Sequence, residues 1–247
     1  MTPPRILVVE ADPGAGRAVA SALEGDGFDV EGARGAEALE ALGAGGRAAA
    51  IFLDLPANDA EGERLHARIH GHPDARDVPL VALSAPARRP RAGEGWAGWL
   101  EAPVERDALR SLLAEVCRPR SAEPLSLGHA RMDVEHGLQR RLADALIRTQ
   151  LAGGEPPQGP AILEDLLSLV RGHFDYEAEL MRRYRHRGAE EHEREHAGWL
   201  RAVEESRATA GGGLSLGASL AAARAMVVHV QTLDADFARH LATRGVT

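Results

Sequence analysis

HFDYEAELM (173–181) and EEHEREH (190–196) are the stretches on which the reading of this chain turns. His173 and Glu177 stand four residues apart, as do His192 and His196. On an α-helix that spacing puts two side chains on one face, about one turn apart, where both can reach a metal ion. Two further stretches extend the pattern: MDVEH (132–136) supplies His136, and HVQTLD (229–234) supplies His229 and Asp234. Imidazole nitrogen suits iron, and carboxylates can bridge two cations while offsetting their charge, so five His with two carboxylates compose a two-iron shell. Any one HxxxH or HxxxE on a charged helix is more often a solvated face than a metal site. The ordered set of four elements is what points to a metal. His129, His186 and His240 fall outside the set and read as surface histidines.

Working outward, four helical stretches carry these residues, approximately 133–150, 160–186, 189–208 and 215–242. Their connections, LAGGEPPQGP, a brief RHRG turn and TAGGGLS, are short and rich in Gly or Pro, which suits an up-down-up-down antiparallel bundle. Apolar residues at helical spacing flank the ligands: Leu169, Val170, Leu180, Met181, Trp199, Leu200, Met226, Leu233 and Phe237. They read as bundle core that would also enclose a metal in a low-dielectric shell.

With its four motifs in this order, the region of about residues 125–243 resembles the hemerythrin family, in its bacterial branch. The resemblance implies a four-helix bundle holding a non-haem diiron site that binds dioxygen. It places His192, His196 and His229 on one iron and His136 and His173 on the other, with Glu177 and Asp234 bridging. An oxo or hydroxo group would complete the bridge. On that assignment the three-histidine iron has six ligands and its partner five, so dioxygen is expected at the His136/His173 iron. Gln139 and Arg140 follow His136 by three and four residues, where family members commonly carry apolar groups. Either one, turned inward, would put a hydrogen-bond donor in the oxygen pocket; a local helix rotation would instead leave both solvated.

His229 and Asp234 pose a geometric problem. Five residues on a regular α-helix set two side chains about 140° apart, since each residue advances about 100°. Both reach one centre only if the helix widens locally, so a π-bulge is expected near residues 229–234.

The first half has a different rhythm. RILVV (5–9), FDV (28–30), AAAIFLD (48–54), VPLVALS (78–84) and WLEAP (99–103) read as strands. Helical patterns run through Ala20 and Leu23, GAEALEALG (35–43), EGERLHARI (61–69) and ERDALRSLLAEV (105–116). Strands alternating with helices imply a doubly wound parallel five-stranded sheet, giving an α/β domain ahead of the all-α one. Polar residues gather at strand carboxyl ends, where open α/β sheets place their sites: Glu10 and Asp12, Asp54, and Ser84. Through LVVEAD, FLDLPANDAEG, LVALSA and WLEAPV, about residues 4–117 resemble a response-regulator receiver domain. In that family the aspartate ending the third strand accepts a phosphoryl group, an acidic pair holds Mg²⁺, a Ser/Thr ends the fourth strand, and a lysine–proline pair follows the fifth. Asp54 and Ser84 match.

The departures fall on the cationic supports. Glu10-Ala11 replaces the acidic pair, leaving Asp12 as a partial substitute, and Ala102-Pro103 replaces the lysine–proline pair. All 29 basic residues are Arg, so no lysine exists to compensate. Phosphoryl transfer needs cations at the phosphoryl oxygens, so a pseudo-receiver with a compromised Mg²⁺ site is expected. Prolines 86 and 90 with glycines 93, 95 and 98 argue against a regular fourth helix, and Arg88, Arg89 and Arg91 read as a solvated loop or a partner-binding patch.

Length and charge bound the rest. A chain of 247 residues suits two domains, expected at 1–119 and 127–247, with RPRSAEPLS at the join placing a linker at 120–126. The first 119 residues carry 13 Arg against 19 acidic residues, net −6, and the remainder 16 against 18, net −2; neither is a nucleic-acid footprint. Cys117 is the only cysteine and reads as a buried helix residue in a reducing compartment. No apolar run approaches the ~20 residues of a membrane span and no signal-peptide layout opens the chain, so a soluble, cytoplasmic protein is expected. Three functions follow. The first is a signalling protein whose diiron domain senses dioxygen, redox state or NO and whose receiver-like domain contacts a histidine kinase, another partner or a second copy. The second is an oxygen carrier with a relic receiver. The third, an enzyme, is a diiron peroxide or nitric-oxide reductase; a binding or sensing role is preferred over it.

Overall fold

The structure, a computed structural model, describes residues 2–11, 14–44, 47–55, 60–84, 95–117, 126–152 and 158–247. The chain forms two compact units, Thr2–Arg118 and Pro119–Thr247.

In the first unit, β1 (Arg5–Glu10), β2 (Asp29–Arg34), β3 (Ala50–Leu55), β4 (Leu80–Ser84) and β5 (Gly98–Glu101) form one parallel sheet in the order β2-β1-β3-β4-β5. The two central strands are apolar runs because both sheet faces are covered: Ile6 to Val9 and Ala50 to Leu53 are buried. β2 is an edge strand and correspondingly exposed. It extends past the FDV triplet because pairing with β1 continues to Arg34. The helices are α1 (Ala15–Ala22), α2 (Gly35–Ala44), α3 (Ala60–His70) and α4 (Arg106–Val116). The strand order reverses between β1 and β3, so the crevice outside their carboxyl ends is the expected ligand position. The expectations about Asp12, a fourth helix, the arginines at 88, 89 and 91, and the linker at 120–125 fall outside the described residues. Cys117 is buried at the end of α4, its Sγ 3.5 Å from the Ala49 carbonyl.

The second unit contains α5 (Ala130–Leu151), α6 (Gln158–Arg183), α7 (Ala189–Thr209) and α8 (Leu216–His229); a π turn (Val230–Asp234) joins α8 without a break to α9 (Ala235–Ala242). α5 packs on α6, α6 on α7, α7 on α8 and α8 back on α5, closing a four-helix bundle. His136 opposite His173 and Leu146 against Leu163 make the α5–α6 pair antiparallel. Asp133 anchors the start of α5 by accepting from the Leu127 and Gly128 N–H groups and from Ser126 Oγ. The helical run Leu216–Ala242 is long and apolar enough, by length and composition, to cross a membrane.

Candidate metal centre

Every bundle helix contributes to one buried polar layer. α5 brings His136, α6 His173 and Glu177, α7 His192 and His196, α8 His229, and the π turn Asp234. Six of the seven are buried and His229 is half-buried. Their ligand atoms fall into two groups able to hold a metal ion: Glu177, His192, His196, His229 and Asp234 in one, His136, His173, Glu177 and Asp234 in the other. The carboxylates belong to both.

The imidazole nitrogens face one another. His229 Nε2 is 2.9 Å from both His196 Nε2 and His192 Nε2, and His136 Nε2 meets His173 Nε2 at 3.1 Å. Two ligands at right angles around a metal at about 2.1 Å lie about 3.0 Å apart, which is this spacing. Glu177 Oε2 is 3.3 Å from His196 and 3.5 Å from His192, whereas its Oε1 is 3.5 Å from His173. Asp234 Oδ1 lies 2.9 Å from His192 and 3.0 Å from His229, whereas its Oδ2 is 3.2 Å from His136. Each carboxylate thus turns one oxygen to each histidine group, as a bridging ligand does. Although these approaches are close, they are poorly directed for hydrogen bonding, and all four oxygens lack a hydrogen-bond donor among the described residues. Buried polar groups are nearly always satisfied, so four orphaned oxygens in one layer fit cations. A shell of nitrogen and carboxylate oxygen without thiolate suits first-row metals such as iron, manganese or zinc.

Electrostatics agree. Burial pushes the Glu177 carboxyl up, but His192 and His196 outweigh it and hold the group at about 2. Asp234 likewise stays far below the usual carboxylate range, burial being overcome by His136, His192 and His229. Burial pushes His192 down, yet contact with both carboxylates raises it to about 9, whereas His196, where burial dominates, falls to about 4. Two carboxylates held ionised in a buried layer draw positive charge, either a proton on His192 or metal ions.

Around this layer, Glu135 Oε2 meets His173 Nδ1 at 2.8 Å, and Arg131 Nε donates to the other Glu135 oxygen at 2.8 Å. Arg131 lies 3.7 Å over the Tyr176 ring. Burial raises the Glu135 carboxyl, but Arg131 and His173 reverse the shift and leave it lowered. A carboxylate on the far nitrogen of a ligand imidazole fixes its ring and tautomer. The sequence reading passed over Glu135, although it stands in MDVEH beside His136. Phe174 stacks on His196 with centroids 3.6 Å apart, another contact the spacing did not reveal. Met132, Leu180, Met181, Phe237 and Leu241 form an apolar cluster toward one end of the bundle, and Leu166, Val170 and Phe174 another, with Trp199, Leu200 and Met226 packed on it. Leu169 and Leu233 are only half-buried. A cleft of about 140 Å³ lined by Phe174, His196, Trp199, Met226 and His229 opens beside the three-histidine group.

Three expectations require correction. His129 is buried and caps α5, its Nδ1 accepting from the Met132 N–H at 3.4 Å. His186 and His240 are half-buried, and both pack on Phe237. Their surroundings come from helix ends brought together by the fold, which local charge pattern does not disclose. Of the two pocket candidates, Gln139 is 2% exposed whereas Arg140 faces solvent, because one residue's advance of about 100° separates them.

In the first unit, Glu10, Asp54 and Ser84 converge at the carboxyl ends of the adjacent strands β1, β3 and β4. Glu10 is already engaged: its Oε1 accepts the Gly16 N–H at 2.6 Å and the Gly14 N–H at 3.4 Å, at the start of α1. A side chain at Gly16 would bring its Cβ to 2.8 Å from that oxygen, so glycine permits the approach. Asp54 Oδ2 accepts the Ala11 N–H at 3.3 Å. Ser84 Oγ is buried with no partner among the described residues. Ala102 precedes Pro103 across a cis peptide just after β5.

No family profile and no curated protein matches the chain. Solved structures do. A sensor protein from Polaromonas sp. JS666 is 30% identical over 46% of this chain and 94% of its own, with a TM-score of 0.40. The chemotaxis response regulator CheY4 of Vibrio cholerae is 21% identical over 47% of this chain and 99% of its own, TM-score 0.40. Full-length FixJ from B. japonicum is 17% identical over 92% of this chain and 99% of its own, TM-score 0.40. Receiver-domain neighbours fall on the N-terminal half.

Proposed function

We propose that the bundle binds dioxygen at two non-haem irons joined by an oxo or hydroxo bridge, and that the chain is a cytoplasmic signalling protein reporting oxygen or redox state. His192, His196 and His229 would hold one iron and His136 and His173 the other, with Glu177 and Asp234 spanning them. The observation that carries this reading is the division of each carboxylate's two oxygens between the two histidine groups. Bound iron supplies the gas-binding and redox chemistry. The protein's own groups orient the imidazoles through Glu135 and exclude water through the apolar clusters on either side.

The receiver-like unit contacts a histidine kinase, another signalling protein or a second copy of the chain. Glu10, folded onto the start of α1, supports a unit that works without phosphorylation, and Mg²⁺ would find that carboxylate already occupied. The same observation favours a second reading, an oxygen carrier whose receiver is a relic. Anaerobic reconstitution with ferrous iron tests the core of the proposal: two irons per chain and a reversible absorption change on adding oxygen are expected. Uptake of a single zinc with no iron would overturn it. A change of conformation or oligomeric state on oxygenation separates sensing from storage, and turnover of peroxide or nitric oxide with an added reductant would point to an enzyme.

A further inference from the structure

The two ligand groups are unequal. One musters five side chains and the other four, with the carboxylates counted in both. A shared solvent-derived bridge keeps the difference, so the His136/His173 position is one ligand short of its neighbour. Gln139 lies three residues beyond His136 on α5, one turn along the same face, and is 2% exposed. Neither its amide oxygen nor its amide nitrogen has a hydrogen-bond partner among the described residues.

The register of the antiparallel helices explains why. Val170 stands three residues before His173 and Met226 three before His229, while Trp199 and Leu200 follow His196 by three and four. This layer is apolar apart from the Trp199 indole N–H, which is committed to the Ala222 carbonyl at 3.2 Å. Leucine or methionine would fill the same place without two stranded polar atoms. Burying an unpaired amide costs stability, so the group fits a partner that arrives from outside the protein.

We propose that Gln139 is the recognition group of the four-ligand metal position, donating its amide N–H to a small anion bound there. The inference rests on the two-metal reading above, and it makes the site selective for ligands that carry a hydrogen-bond acceptor. Azide is the probe. Full-length protein and its Gln139→Leu and Gln139→Met variants would be loaded with iron, oxidised and titrated with azide, following the visible absorption and the azide vibrational band. The expected result is two irons in all three proteins, azide affinity about tenfold weaker in both variants, and a displaced azide band. The iron-free Leu variant should also melt at higher temperature than the iron-free parent.

Unchanged azide affinity and band in iron-loaded variants would overturn the proposal. So would loss of iron in both variants from a parent that binds two, since the amide would then support the site itself. A parent that takes up no iron would overturn the metal reading instead.

Discussion

His229 Nε2 lies 3.0 Å from Asp234 Oδ1, although five residues separate them on one continuous helical run. The π turn at Val230–Asp234 makes this contact, because its wider winding brings residue i+5 back onto the face of residue i. Inserting an alanine after Thr232 would carry the Asp234 side chain one position further along the helix, about 100° off the face it shares with His229. Iron content should fall well below two per chain while far-ultraviolet circular dichroism stays that of a helical bundle. Full iron retention in the insertion variant would refute the role given to this turn.

Glu135 meets His173 Nδ1 and would act on a bound metal through it. Replacing it with Gln keeps the shape but removes the charge on Nδ1, and replacing it with Ala removes the contact. Affinity for iron should drop about 10- to 100-fold in the Ala variant, the usual cost of losing such a support, and less in the Gln variant. Competition with a chelator measures this. Equal affinities in all three proteins would reduce Glu135 to a surface acid paired with Arg131.

Without iron, stability should peak near pH 6.5. His192 is raised from 6.5 to about 9, so its contribution is complete below 6.5 and is lost as pH climbs through 9. His196 is lowered from 6.5 to about 4, so its contribution is present above 6.5 and is lost as pH falls through 4. Glu177, lowered from 4.5 to about 2, steepens the acid side further down. Iron binds only the deprotonated imidazoles, so loading should lift the alkaline limb most. Thermal melts of iron-free and loaded protein across this range test both limbs; a monotonic rise for the iron-free form would contradict the assignment of His192.

Asp54 should resist stable phosphorylation. The Glu10 carboxylate is held by the Gly14 and Gly16 N–H groups, and Ala102 brings no positive charge, so the phosphoryl oxygens lack their usual cations. Intact-mass measurement after treatment with acetyl phosphate is the check. A long-lived adduct on Asp54 would restore ordinary phosphorylation control to this unit.

The sequence alone determined what is local and periodic. Histidine and acid four residues apart, apolar runs of strand length, and connections rich in Gly and Pro specify helices, a parallel sheet and a bundle, because each depends on neighbours along the chain. Even the π turn was legible, since the angle between His229 and Asp234 follows from helix geometry. Tertiary structure decided the rest. Whether Gln139 or Arg140 faces inward depends on how α5 is rotated against α6 and α8, and one residue's step reverses the answer. Glu135 meets His173 across 38 positions of sequence, a pairing no local pattern encodes. His129 is buried, and His186 and His240 half-buried, because helix ends pack together there. Glu10 reaches the start of α1 because Gly16 and Gly32 let the backbone come close, which only the folded chain could show.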